Sequence, residues 1–338
     1  MAVHGADVRG KRSLPAERPE VLLIGPLRPI LAQGFADVTV HKLSDTGDRV
    51  TFPDSVRHVG AMAVSAPVQR IDDALLASLP KLQIISSFGV GYDHIDANAA
   101  AKRGIVVTHT PDVLTEEVAD TAIGLLLCTV RELPQAERHV RAGQWPQGNY
   151  PLSRATLRNR TVGMVGMGRI GIAIARRLEA FGVPVVYHTR QPRPDLGYLH
   201  YPRLIDMARD VDTLIVIVPG GAATRNMIDA KVLEALGPDG ILINVARGSV
   251  IDEPALIAAL RERKILSAGL DVFAEEPQVP EALLAMENVV LLPHIGSASV
   301  FTREKMDQLV VDNIRAWAAN EPPLTPVPET PWRAWSRA

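Results

Sequence analysis

The stretch from Thr161 to Gly171, Thr-Val-Gly-Met-Val-Gly-Met-Gly-Arg-Ile-Gly, constrains this chain more than any other, because a β-prone apolar segment runs straight into three glycines and a helix start. Gly166, Gly168 and Gly171 stand at the G-x-G-x-x-G spacing. In a strand–turn–helix setting the first glycine permits a tight turn, the second lets the backbone approach a pyrophosphate, and the third lets helix and strand pack closely. That setting is present. Val162, Met164 and Val165 precede the turn, while Ile170, Ile174, Ala175 and Leu178 follow at helical spacing. The N–H groups of the helix that opens at Arg169 and Ile170, with its dipole, then face arriving phosphates. The spacing predicts a dinucleotide pocket.

If such a pocket held the ribose diol of NAD, an acidic residue would stand about 20 residues beyond the glycines, at the end of the next strand, Pro184 to Tyr187. None is there. The chain reads His188-Thr189-Arg190-Gln191-Pro192-Arg193, which lacks the charge that repels a 2′-phosphate and offers guanidinium forks to bind one. Thr189, Arg190 and Arg193 are therefore candidate 2′-phosphate ligands. NADP (as NADPH) is expected, with NAD accepted at lower affinity.

At 338 residues the chain exceeds the usual size of one core, and its 47% hydrophobic residues suffice for two. A formal charge of −2 gives no global attraction to nucleic acid or an anionic membrane, so neither is an expected partner and the ligand should be a small molecule. No stretch approaches the roughly 18 consecutive apolar residues of a membrane span, and the amino terminus lacks the apolar core of a secretion signal. The one cysteine, Cys128, sits inside the apolar run Ile123 to Val130. It reads as a core thiol and suits a reducing, cytoplasmic location. The nine histidines form neither H-E-x-x-H nor a Cys/His cluster, so no metal site is expected. Gly-x-Ser-x-Gly and a Walker lysine are also missing, which sets aside the corresponding hydrolases and P-loop enzymes.

The rest of the chain alternates. After a polar leader, residues 1–20, expected to be poorly ordered, strands are predicted at Val21 to Ile24, Asp37 to Val40, Gly60 to Val64, Leu82 to Ser86 and Ile105 to Thr108. Helices are predicted at Asp72 to Ser78 and Ile95 to Arg103. A longer helix runs from Thr115, as N-cap, to Thr129, with Glu116 and Glu117 favouring its dipole, and a second covers Pro134 to Ala142. Six further strands, near 162–165, 184–187, 213–218, 240–244, 266–270 and 289–292, argue for a doubly wound parallel sheet of an α/β protein. A last helix, Thr302 to Asn320, can cross back to complete the first unit. The tail, residues 322–338, holds five prolines before Trp332 and is expected to be extended rather than packed, with Trp332 and Trp335 as possible anchors.

Ligands of open α/β sheets bind outside the carboxyl ends of the strands. Three polar residues follow such ends: Arg247 in Asn-Val-Ala-Arg-Gly-Ser, Glu276 past Gly-Leu-Asp, and His294 after Val-Val-Leu-Leu-Pro. Each alone fits a salt bridge, a surface acid or a loop histidine. Together they suit reduction of a carbonyl beside a carboxylate. His294 would protonate the oxygen that gains charge, Glu276 would hold the other ring nitrogen and raise its pKa, and Arg247 would fork onto the substrate.

Four ordered motifs carry a resemblance: the glycine turn with Arg169-Ile170, Asn-Val-Ala-Arg-Gly-Ser-Val-Ile-Asp-Glu at 244–253, Ala-Gly-Leu-Asp-Val-Phe-Ala-Glu-Glu-Pro at 268–277 and Leu-Pro-His-Ile-Gly-Ser at 292–297. Across about Val21 to Asn320 the chain resembles the D-isomer-specific 2-hydroxyacid dehydrogenases, and Thr-Arg-Gln-Pro-Arg-Pro at 189–194 is similar to their NADP-using glyoxylate/hydroxypyruvate reductase branch. The resemblance implies two Rossmann-like, flavodoxin-like domains with parallel sheets and a cleft between them. Residues 21–112 with 295–321 would bind substrate, and 113–294 the dinucleotide. It implies that Arg247, Glu276 and His294 are the catalytic trio. Val90 and Gly91, in Ser87-Phe88-Gly89-Val90-Gly91, would hold the substrate carboxylate with Ser297 nearby. Asp271 would touch the nicotinamide amide, and Pro219, Val245 and Gly296 would line the cofactor. It further implies a homodimer built through Thr115 to Trp145. A phosphoglycerate dehydrogenase would call for an acid at position 188, and a formate dehydrogenase for a glutamine where Glu276 stands. A 2-ketogluconate reductase of the same family, or a nucleotide-sensing protein like the family's corepressors, stays open.

Overall fold

Short runs of consecutive apolar residues, buried on both faces, are what parallel strands covered by helices require, and that is how this chain folds. A computed structural model describes residues 19–43, 54–65 and 70–332. The leader, residues 19 and 20 apart, and Trp335 lie outside them.

One unit comprises the described residues up to Val113 and from Val300 onward. Its strands are β1 (Glu20–Ile24), β2 (Thr39–Leu43), β3 (Ala61–Val64), β4 (Ile84–Ser87) and β5 (Val106–Thr108), all parallel, in the order β2-β1-β3-β4-β5. Leu22, Ile24, Met62, Val64 and Ile85 fill one core layer with Leu76, Ala100 and Val107. The helix Val300–Ala318 packs into the same unit through buried Met306, Val310, Val311, Ile314 and Trp317, and the Trp317 indole N–H donates to Gln83 Oε1 at 3.0 Å.

The proline-rich segment corrects the expectation of an unpacked tail. It is extended, but it lies along β5: Val327 N–H donates to Val107 O at 2.9 Å, Val107 N–H donates to Thr330 Oγ1 at 2.8 Å, and Val327 is 1% exposed. The reason is that β5 is an edge strand whose backbone groups need partners. The prolines lack N–H donors, but Thr325, Val327 and Thr330 between them supply what the edge requires.

The other unit spans Leu114–Ser299. Its strands are β6 (Val162–Val165), β7 (Val185–His188), β8 (Leu199–His200), β9 (Thr213–Val216), β10 (Ile241–Asn244), β11 (Ser267–Leu270) and β12 (Val289–Leu291). They form one parallel sheet of order β12-β11-β10-β9-β6-β7-β8. Side chains alternate between two cores: Ile241 and Ile243 enter one layer, and Leu242 the other. The sequence reading missed β8, whose two residues are too few to show a pattern. The helix Thr115–Arg131 has Leu114, not Thr115, as N-cap, because Leu114 O accepts the first intrahelical bond, from Val118 N–H at 3.0 Å, so Thr115 is its first helical residue. Cys128 is half-buried on this helix, and burial pushes its thiol pKa up, against a role as nucleophile. The chain returns to the first unit at Val300 rather than 295, since the backbone of Ile295 and Gly296 is held by Asp271 of the second.

Candidate active site

The strand order of the second sheet reverses between β6 and β9, both hydrogen-bonded to each other with β7 and β10 to either side. The glycine turn follows β6, at this switch point. Gly166 has φ +106°, and a Cβ there would lie 2.3 Å from Ile217 O; a Cβ on Gly171 would lie 2.5 Å from Gly166 O. Both positions demand glycine. Gly168 differs, because a Cβ there would meet nothing within 4 Å. Its missing side chain leaves open space before the helix Arg169–Ala180, whose amino end, with Ile170 in its first turn, has no side-chain cap. A turn whose flanking glycines are needed by the protein and whose middle glycine faces open space fits a pyrophosphate.

After β7, Thr189 Oγ1 donates to Gln191 O at 2.6 Å and closes the loop. Arg193 holds Asp195 through Nε at 3.0 Å and a terminal nitrogen at 2.8 Å, and reaches Met167 O, inside the glycine turn, at 3.5 Å. Arg190 is exposed and makes no ion pair among the described residues. The basic loop thus stands beside the glycine turn, while Asp195, which the sequence reading passed over, engages one of its two forks.

On the other side of the switch point, Pro219 follows β9, Val245 and Arg247 follow β10, Asp271 and Glu276 follow β11, and His294 follows β12. The loop after β10 is shaped by buried Asn244, whose side chain accepts from Ala246 N–H and donates to Arg247 O, both at 3.0 Å. Arg247 Nη1 donates to Ala246 O at 2.7 Å. Asp271 is 2% exposed and accepts from Ile295 N–H at 2.7 Å and Gly296 N–H at 2.8 Å, while its carbonyl accepts from His294 N–H at 2.9 Å. Burial pushes its carboxyl pKa up despite those two N–H groups. Asp271 therefore sets the backbone that carries His294, Gly296 and Ser297, and each of its oxygens keeps a lone pair for another donor.

His294 Nδ1 lies 2.7 Å from Glu276 Oε2, and Phe273 N–H donates to Glu276 Oε1 at 3.0 Å. Burial alone would raise the Glu276 pKa. The hydrogen bond and charge of His294, the Phe273 N–H and the Arg247 charge outweigh it, so the carboxyl sits below its ordinary value and stays ionised at neutral pH. A carboxylate with a lowered folded-state pKa adds stability above its unfolded value, near 4.5, and loses it as pH falls through the folded value. In thermal melts, the advantage of wild type over Glu276→Gln should accordingly hold from neutral pH down to about 5 and shrink below; a constant difference across the acid range would refute the pairing.

Gly248 was not singled out from the sequence, yet it is the tightest glycine in this site. A Cβ there would lie 1.9 Å from Phe273 C and 2.3 Å from Ala274 N, so the loop carrying Arg247 rests directly on the backbone that holds Glu276. Gly248→Ala must push two backbones apart, at a cost of about 1–3 kcal/mol or more. A fall in melting temperature together with a loss of kcat is expected, and an unaltered kcat would show that the two loops need not be in register. The signal lay in Asn-Val-Ala-Arg-Gly-Ser, where glycine directly follows the arginine.

In the first unit, Val90 and Gly91 follow β4. Gly89, at φ +129°, donates its N–H to Thr110 Oγ1 at 2.9 Å, and His109 Nδ1 contacts Val90 O at 2.9 Å. The loop is braced by Thr110 and His109, and the Val90 and Gly91 N–H groups bond to nothing among the described residues.

A parallel sheet with a glycine turn at its switch point, and an imidazole–carboxylate pair and an arginine beyond the neighbouring strands, is the architecture of a dinucleotide-dependent dehydrogenase. Comparison with known proteins makes this specific. The family model described as D-isomer specific 2-hydroxyacid dehydrogenase, NAD binding domain, matches residues 123–296. The chain is similar to glyoxylate/hydroxypyruvate reductase A HPR2 of Arabidopsis thaliana, 49% identical over 256 residues, covering 76% of this chain and 82% of that protein. It is 40% identical to the 2-ketogluconate reductase of Gluconobacter oxydans over 92% of this chain and 99% of that one. Among solved structures it resembles the NADPH-dependent glyoxylate/hydroxypyruvate reductase of Sinorhizobium meliloti in complex with NADP and malonate, with a TM-score of 0.89 and 54% identity over 95% of this chain and 100% of that chain. The chain belongs to the D-isomer-specific 2-hydroxyacid dehydrogenase family.

Proposed function

We propose that the chain is an NADPH-dependent reductase of small 2-keto acids, glyoxylate and hydroxypyruvate foremost. The observation that carries this reading is the His294–Glu276 pair, 2.7 Å apart at the end of β12 in the same unit as the glycine turn and its basic loop. Bound NADPH would supply the hydride. Arg190 and Arg193, aided by Thr189, bind its 2′-phosphate; Gly166, Gly168, Arg169, Ile170 and Gly171 cradle the pyrophosphate; and Pro219, Val245, Asp271 and Gly296 line its far end. In the order of the sheet these residues follow β7, β6, β9, β10, β11 and β12.

The remaining chemistry belongs to the side chains. As the carbonyl carbon gains hydride, the carbonyl electron pair moves to oxygen, and His294 gives that oxygen its Nε2 proton while Nδ1 stays held by Glu276. Arg247 places positive charge where the oxygen gains negative charge. The Val90 and Gly91 N–H groups, which bond to nothing among the described residues, would bind the substrate carboxylate. NADPH oxidation measured with glyoxylate, hydroxypyruvate, pyruvate and 2-ketogluconate, with NADH in parallel, tests the proposal; turnover restricted to NADH would overturn it. The likeness to the 2-ketogluconate reductase favours that acid as the alternative substrate. Absence of turnover with retained NADPH binding would favour the nucleotide-sensing reading.

The assembly we infer is a homodimer through the 115–145 region. Leu133, Val140 and Trp145 are 48%, 53% and 61% exposed within it, large apolar side chains that an interface would cover. The same unit has a groove of about 770 Å³ whose lining includes Val130, Arg154 and Gln135. The Gln135 Oε1 atom is buried without a partner among the described residues. A solution mass near twice 36.6 kDa is expected. A cytoplasmic location is part of this reading; among the described residues no helix is long and apolar enough to cross a membrane.

A further inference from the structure

Away from the carboxyl ends of the strands, the first unit gathers three side chains whose donors suit a metal ion. Glu20 opens β1, His41 lies on β2, and His58 lies in the turn leading to β3. In the order β2-β1-β3, the first residue of the inner strand is thus reached by an imidazole from either side. Register explains the approach from β2. Glu20 pairs with Thr39 and Leu22 with His41, so His41 is the diagonal neighbour of Glu20 on one face, within reach of a long side chain.

Both imidazoles turn Nε2 to the same oxygen, Glu20 Oε2: His58 at 2.7 Å, and His41 in direct contact. Their rings are perpendicular with centroids 5.8 Å apart, so the nitrogens converge on one point from different directions. All three donor atoms lie within 4.8 Å of one another. Glu20 and His41 are each 26% exposed and His58 47%, which leaves an entry path and room for a coordinating water. Two neutral imidazoles and a carboxylate form a borderline donor set that prefers Zn²⁺ to the oxygen-seeking Mg²⁺ or Ca²⁺. An ion would replace the hydrogens that the two ring nitrogens now direct at the carboxylate.

We propose that Glu20, His41 and His58 form a three-ligand Zn²⁺ site that staples edge strand β2 and the approach to β3 onto β1. No pair of these residues has the sequence spacing of a metal motif, so only the sheet brings them together.

The test uses the full chain, stripped of metal by chelator and dialysis, and titrated with Zn²⁺ or Mg²⁺ alone. Wild type is compared with Glu20→Gln, the double variant His41→Ala/His58→Ala, and His294→Asn, which removes the other imidazole–carboxylate pair. One Zn²⁺ per chain should bind, and at a hundredfold excess over Kd the melting temperature should rise by about 4 °C, with no response to Mg²⁺. Loss of an outer partner alone weakens metal sites about 10- to 100-fold, so each triad variant should lose at least that much affinity. Its far-UV spectrum and NADPH binding should stay unchanged. Absence of saturable Zn²⁺ binding, equal affinity in wild type and double variant, or a loss confined to His294→Asn would overturn the proposal.

Discussion

Replacing His294 by asparagine is expected to lower kcat for 2-keto acid reduction by about 10²- to 10⁴-fold, the span that a positioned proton donor contributes, while NADPH binds as before. Asparagine is the better probe because His294 has φ +54°, a left-handed conformation that asparagine tolerates and alanine resists by about 1–2 kcal/mol. His294→Ala would confound loss of the donor with a shift of the loop after β12. Single-turnover rates together with NADPH fluorescence titrations separate the two effects. Near-normal turnover in His294→Asn would move the proton donor elsewhere and, with it, the role given to Glu276.

The second large effect concerns coenzyme choice. A charge-assisted hydrogen bond contributes about 1.5–3 kcal/mol, so losing an arginine from the 2′-phosphate should raise KM for NADPH roughly 10- to 150-fold and leave KM for NADH nearly unchanged. The two arginines should not be equal. Arg193 already holds Asp195 through two nitrogens, and an arriving phosphate must share that fork, whereas Arg190 has no such ion pair among the described residues. Arg190→Ala is therefore expected to cost more than Arg193→Ala, with the double variant preferring NADH. Parallel NADPH and NADH kinetics on the three variants decide it; equal losses for both coenzymes would sink the 2′-phosphate assignment.

Much of the fold was legible because its signals are local. Apolar runs such as Ile241 to Ile243 are dictated by strands buried on both faces, and the glycine turn by φ +106° at Gly166 and the backbone crowding at Gly171. The strand-end positions of Arg247, Glu276 and His294 could be read in the same way, as polar residues a few positions past apolar runs. What escaped were features without a local pattern. The two-residue β8 is one. Another is the tail along β5, since proline content reveals the absence of donors but not that Thr325, Val327 and Thr330 would meet an edge strand in need of them. Asp195 belongs to no motif, and only the fold of the loop brings its side chain onto Arg193.

By itself the sequence determined which residue types follow which strands, and hence that a dinucleotide-binding sheet carries an arginine, a glutamate and a histidine at its carboxyl edge, because strand period and turn chemistry act over a few neighbouring residues. Tertiary structure alone decided the distances. That His294 meets Glu276, that Gly248 rests on Phe273, that Asp271 holds Ile295 and Gly296, and that Glu20 meets both His41 and His58 depend on strand order and register. Those are set by how whole apolar faces pack, a sum over many distant residues that no short stretch of chain encodes.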